Sequence, residues 1–211
     1  MFVRWHGHSC FEIRDSATVL TDPHDGKLLG LPVPSCRPDA VLISHHHDDH
    51  ANGLHLFAGP GVVVLDEPCE TQVRGVEIRG IEAYHDDFGG SRLGLNVVFA
   101  FEVGGVRFSH LGDLGHKLSA EQLERLGSVD VLFSGMGRDL GLAGENIRLI
   151  EPRIVIPMHY WVEGIIFPWF QLARPEDFVK EWPCVRWVDG PEREYSPDSL
   201  PDMTELHVFR I

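Results

Sequence analysis

The chain has 211 residues, 43% of them hydrophobic, and its 32 acidic side chains outnumber 18 basic ones for a net charge of −14. That length supports a sizeable buried core, and no Pro/Gly/Ser linker, repeat or low-complexity stretch divides it, so a single domain over 1–211 is expected. The acidic balance opposes binding to nucleic acid or to an anionic membrane surface, both of which draw on lysine and arginine, and favours a small-molecule substrate.

In chain order, Phe2–Trp5, Cys10–Arg14 and Ala17–Thr21 alternate or are β-rich, with Asp15-Ser16 as a turn, and read as a β-meander. The segment Met1–His6 lacks the basic-then-apolar plan of a signal peptide. No apolar run approaches the ~20 residues of a membrane span, so a cytoplasmic location is expected. Asp39–Ile43 is a short apolar run that reads as a buried strand. Further strands are expected at Val62–Leu65, Val76–Ile78, Ile81–Tyr84 and Leu95–Val103, the last meeting Val106–Ser109 through the hairpin signal Gly104-Gly105. Ser119-Ala120-Glu121-Gln122 is a capping box opening a short helix, with Leu118, Leu123 and Leu126 inward and Gly127 past its end. Strands and helices then alternate: Val129–Phe133, a helix over Glu145–Ile150, Arg153–Ile156, a helix from Pro175, and strands at Val185–Val188 and Leu206–Ile211. Two hairpin-rich sheets with helices outside predict an α/β protein, a four-layer αββα sandwich. The four cysteines (Cys10, Cys36, Cys69, Cys184) make no C-x-x-C pair and read as free thiols.

The chemistry concentrates in Ser44-His45-His46-His47-Asp48-Asp49-His50. In the register His45-x-His47-x-Asp49-His50, four metal-ligand side chains fall within six residues, and the register is unique because only Asp49 precedes a histidine. Imidazole with carboxylate suits a catalytic transition metal rather than a Cys-rich structural site. The cluster leaves the C-terminal end of an expected strand, where active sites of layered α/β folds lie. Three more ligand-type residues stand where strands run out: His85, Asp113 and His159. Singly, each histidine reads more readily as a core or surface group and Asp113 as a turn residue; in combination they complete a ligand set.

With Leu20-Thr21-Asp22-Pro23 ahead of them, these motifs resemble the metallo-β-lactamase superfamily. Gly7-His8-Ser9, Tyr84-His85-Asp86, Leu111-Gly112-Asp113 and Ile156-Pro157-Met158-His159-Tyr160 are similar to the branch of small metal-dependent hydrolases that includes ascorbate-6-phosphate lactonase and the phospholipase D acting on N-acyl phosphatidylethanolamine. The resemblance implies two divalent metal ions, zinc ahead of manganese, iron or nickel. His45, His47 and His85 would hold the first, Asp49, His50 and His159 the second, with Asp113 bridging. A hydroxide shared by the two metals would cleave an ester-like bond, a phosphodiester or a lactone, and Asp49 is the residue placed to orient it and move its proton. Asp22 is expected to fix a ligand imidazole from behind. His8 is a candidate outer-sphere group or extra ligand, His116 a candidate proton donor to the leaving group, and Tyr160 a candidate donor to a developing oxyanion. For each of these three, ordinary packing or surface placement is the competing reading.

Relatives in that branch carry a Pro-x-Gly-Gly turn where this chain reads Ser134-Gly135-Met136-Gly137-Arg138, with Arg138 a candidate contact for a phosphate or carboxylate. The apolar run Ile165–Phe170 beside His159 would wall a substrate pocket or form a homo-oligomer interface. Two other activities known on this fold compete. One is iron-dependent oxidation: a mononuclear enzyme similar to persulfide dioxygenases would be told apart by metal count and identity, and one similar to flavin-linked diiron reductases is countered by the Asp49-His50 pair. The other, a nuclease, is countered by the acidic charge.

Overall fold

A computed structural model describes residues 1–136 and 139–210. The strands are β1 (Phe2–Trp5), β2 (Phe11–Arg14), β3 (Thr18–Thr21), β4 (Ala40–Leu42), β5 (Val63–Leu65), β6 (Cys69–Val73), β7 (Val76–Tyr84), β8 (Leu95–Val103), β9 (Val106–His110), β10 (Val131–Gly135), β11 (Ile154–Met158), β12 (Val185–Val188), β13 (Glu192–Glu194) and β14 (Glu205–Phe209). The α-helices are α1 (Asp48–Ala51), α2 (Leu54–Phe57), α3 (Ala120–Leu126), α4 (Leu140–Ile150) and α5 (Pro175–Phe178).

Two mixed sheets face each other, one in the order β13-β1-β2-β3-β4-β5 and the other β12-β14-β11-β10-β9-β8-β7-β6. The period-2 alternation of the sequence decides what each face covers. Val19, Ala40 and Leu42 belong to the core between the sheets, while Leu20, Val41 and Ile43 pack with Cys10 and Phe57 of α2 on the outer face. The expected αββα sandwich is the observed architecture, and all four cysteines are free. None of the described helices is long and apolar enough to cross a membrane.

Strand direction places the site. β3 and β4 are parallel, β7 and β9 each run antiparallel to β8, and β9, β10 and β11 are parallel. The residues after β3, β4, β7, β9 and β11 therefore leave along one edge of the sandwich. Two amides tie the sheets there: Val97 N–H donates to the Ser44 carbonyl at 2.7 Å and His159 N–H to the His8 carbonyl at 3.2 Å.

Several elements differ from expectation. The segments Val76–Ile78 and Ile81–Tyr84 form one nine-residue strand. α4 begins at Leu140 rather than Glu145, capped by the Asp139 side chain accepting from Leu142 N–H. Gly141 and Gly144 lower the helix propensity of that first turn and hide it. The expected capping box at Ser119 is present with both of its bonds.

Candidate metal centre

The centre is built from loops. Leaving β4, the chain presents His45 and His47 before α1, whose single turn carries Asp49 and His50. His85 follows β7, Asp113 follows β9 through Gly112, and His159 follows β11. The rings of His45, His47 and His85 surround one point, with centroids 4.6 to 4.9 Å apart. Donor atoms of His8, Asp49, His50 and His159 form a second group, and those of His45, His50 and Asp113 a third that joins the two. Asp113 stands between them: its Oδ2 lies 3.2 Å from His85 Nε2 and 3.4 Å from His159 Nε2, and its Oδ1 lies 3.4 Å from His50 Nε2. His46, skipped in the motif register, turns away to Asp66. All seven residues expected as ligands are thus brought to one place.

Asp22 sets the tautomers of two of them. Its Oδ1 accepts from Ser44 N–H at 2.7 Å, and its Oδ2 accepts from Ser44 Oγ at 2.6 Å and from His50 Nδ1 at 2.8 Å. Because the Ser44 hydroxyl proton is given to Asp22, Ser44 Oγ accepts from His45 Nδ1 at 3.0 Å. Both imidazoles therefore keep a proton on Nδ1, which leaves Nε2 as the atom that would give its lone pair to a cation. Those two Nε2 atoms are buried without a hydrogen-bond partner, a costly state that a cation relieves. The imidazole and carboxylate donor set fits a transition metal. Replacing Asp22 with asparagine would aim an amide N–H at His50 Nδ1 and move the imidazole proton to Nε2, into the centre. Asp22→Asn is expected to weaken metal binding by roughly 10- to 100-fold, read by competition with a chelator, with the far-ultraviolet circular dichroism unchanged. Wild-type affinity in that variant would contradict the tautomer assignment.

His8 lies wholly inside. Its Nε2–H donates to Asp49 Oδ2 at 2.9 Å, and its ring centroid is 4.0 Å from that of His159. Burial and the neighbouring His159 lower its pKa to about 3, and burial lowers that of His45 to about 2. Burial also works against the charged forms of Asp49, Asp113 and His50, but their mutual attraction prevails. Both carboxyls are held well below the usual range, and Asp113, Asp22 and Asp49 raise His50 well above the usual histidine value. Of the imidazoles that shift, His50 alone moves toward the charged form, so it holds a proton that a cation must displace. Metal binding near neutral pH is expected to release about one proton, and affinity is expected to climb as pH rises toward the His50 value. Calorimetry in buffers of different ionisation enthalpy measures this; a heat independent of buffer would contradict it.

The remaining expectations divide. His116 lines the cleft beside the centre, but both ring nitrogens are engaged: Nε2 accepts from Tyr84 N–H and Nδ1 donates to the Lys117 carbonyl. The Tyr160 expectation is corrected. Its hydroxyl donates to the Phe209 carbonyl at 2.9 Å and its ring stacks on Trp5, so it is a buried packing residue directed away from the centre. Phe167 packs against both His8 and His159, centroids 5.4 and 5.2 Å away, while Ile166 and Trp169 are exposed. Arg138 lies outside the described residues. Three supports had no signal in the sequence. Ser44 links Asp22 to His45. Asn96 accepts from Asp113 N–H and donates to the Leu111 carbonyl. His110 is buried, with Nε2 donating to the Ser9 carbonyl and Nδ1 accepting from Gly112 N–H.

Backbone conformation marks the same place. Among the described residues, five other than glycine have positive φ, and three of them are His8 (53°), Asp22 (37°) and His159 (58°). Such strain costs of order 1–3 kcal/mol per residue and gathers at functional sites.

The sequence matches the Beta-lactamase superfamily domain family over residues 2–159. The chain belongs to the metallo-β-lactamase superfamily. It is 30% identical to the UPF0173 metal-dependent hydrolase of Thermococcus onnurineus, over 84% of this chain and 90% of that protein. A Thermotoga maritima structure of the metallo-β-lactamase superfamily superposes with a TM-score of 0.79 at 32% identity, covering 99% of this chain and 98% of that one. A metallo hydrolase of Ignicoccus hospitalis shares the fold, with a TM-score of 0.61 at 20% identity over 85% and 89% of the two chains. Within this superfamily the protein is a metal-dependent hydrolase, and the clustered histidines and aspartates are residues able to hold the metal.

Proposed function

We propose that the protein hydrolyses an ester-like bond, a phosphodiester or a lactone, in a small molecule, using two divalent cations. The observation that carries this is the position of Asp113, whose two carboxylate oxygens face the His45/His47/His85 side and the Asp49/His50/His159 side at once. That position supports reading Asp113 as a bridging ligand. Two divalent cations held there, zinc ahead of manganese, iron or nickel, would polarise the scissile group and lower the pKa of water toward neutrality. Asp49, anchored by His8 and held ionised, is the residue to orient the attacking water and pass its proton onward rather than keep it. Beside the centre opens a cleft of roughly 490 Å³, walled by Phe88, Leu93 and Leu142, with Arg92, His116 and Lys117 at its polar end. Asp86 braces its mouth by accepting from the amides of Phe88, Gly90, Arg92 and Leu93. Arg92 and Lys117 favour a substrate with an anionic group, and Phe88, Leu93 and Leu142 favour an apolar portion.

Elemental analysis of the full chain beside Asp49→Ala tests this. About two equivalents of zinc or manganese are expected, falling to about one or fewer in the variant, together with turnover of a chromogenic phosphodiester or lactone that the variant loses. One iron, insensitive to the substitution, would overturn the proposal in favour of an oxygen-dependent reaction.

A further inference from the structure

On the outer face of the first sheet, three ligand-type side chains from three segments converge: His6 after β1, Glu12 in β2, and Cys36 in the long connection between β3 and β4. One donor atom from each lies within 4.8 Å of the others. Glu12 alternates with Phe11 and Ile13 of the inter-sheet core, so it points outward, yet it is only 3% exposed. A carboxylate that deep in a strand is retained when it is paired. Its Oε1 accepts from Arg14 Nη1 at 3.0 Å, which leaves Oε2 to face His6 Nε2 at 3.1 Å. Cys36 is half-buried and packs beside the outer cluster of Cys10, Leu20 and Val41. None of the three belongs to the ligand groups of the His/Asp centre, and no other ligand group among the described residues contains a cysteine.

We propose that His6 Nε2, Glu12 Oε2 and Cys36 Sγ form a further cation site, separate from the hydrolytic centre and suited to zinc or a metal of similar softness. Imidazole, carboxylate and thiolate together select such a metal over magnesium or calcium, and three protein ligands leave a tetrahedral position for water. On binding, the S–H bond of Cys36 breaks, a sulfur–metal bond forms and the proton passes to solvent, while His6 moves its proton from Nε2 to Nδ1. Without the cation, burial pushes the Cys36 thiol up to about 12 and keeps it protonated. The site also has a structural consequence. His6 N–H donates to the Cys10 carbonyl and Cys10 N–H to the Gly7 carbonyl, closing the turn that carries His8. A metal at His6 would clamp that turn to β2 and to the β3–β4 connection.

The test is the near-ultraviolet spectrum of the full chain loaded with cobalt(II). A thiolate-to-cobalt charge-transfer band is expected in the wild type and in Asp113→Ala, whose hydrolytic centre is impaired, and is expected to vanish in Cys36→Ser. Zinc content of Cys36→Ser should fall by about one equivalent relative to wild type. A wild-type protein without the band overturns the proposal with no substitution involved, as does a band or a zinc equivalent that survives in Cys36→Ser. Because the His/Asp centre holds no thiolate, loss of cobalt there leaves this band unchanged, so failure of this site and failure of the hydrolytic proposal are read separately.

Discussion

Asp113→Ala is expected to lower the hydrolytic rate on the order of 10³-fold, at the upper end of what removing one preorganised charged group costs. The reason is positional. A single carboxylate, its side chain 17% exposed, faces His50, His85 and His159 within 3.4 Å. Its removal leaves the three imidazoles with Asp49 as the one carboxylate inside the centre, Asp22 standing behind His50. Metal content should fall with the rate, and so should the melting temperature of the loaded protein, since a ligand bound only by the folded state stabilises it. Asparagine at 113 keeps the shape and one acceptor oxygen but not the charge, and is expected to fall between alanine and wild type. A variant that retained both metal and rate would remove Asp113 from the bridging position.

Gly112→Ala, a change of one methyl group, is expected to cost about 3 kcal/mol of stability and on the order of 10² in kcat/KM. Gly112 has a φ of +57°, and a Cβ built there would collide with Asn96 Oδ1 and with the Ser44 side chain. Neither neighbour can yield freely. Asn96 Oδ1 accepts from the Asp113 amide, and Ser44 Oγ connects Asp22 with His45. One methyl therefore disturbs Asp113, through Asn96, and His45, through Ser44, together. Thermal denaturation with steady-state kinetics measures both effects; a variant as stable and active as wild type would show that the loop adjusts without consequence.

How much of this was legible in the sequence depended on distance along the chain. His45, His47, Asp49 and His50 fall within six residues and could be read as a ligand run. His85, Asp113 and His159 gained weight only from their places at strand ends and from the family resemblance. Ser44, Asn96 and His110 carry no such signal, because serine and asparagine are everyday turn and surface residues and only the fold brings them behind a ligand. Tyr160 illustrates the reverse error. A residue next to a ligand at a strand end tends to project to the opposite side, and Tyr160 does so, into the packing around Trp5 and Phe178. Among the elements, β7 and β8 were readable from long apolar alternation. The edge strands β6, with exposed Glu70, Thr71 and Gln72, and β13 show too little apolar pattern, and α1 and α2 are too short for a helical period to appear.

The left-handed backbone at His8, Asp22 and His159 bears on how this chain would respond to selection. Glycine at those positions would relax the main chain by ~1–2 kcal/mol each, while deleting the anchor of Asp49, the residue that orients two imidazoles, or a ligand. Each of these side chains is also buried and bonded, so its removal would cost more than the relaxed backbone returns, and selection for heat resistance and selection for turnover would both hold the three positions fixed. The strained turns are thus locked in by the bonds they make possible, while cores elsewhere in the sandwich can be strengthened without touching them.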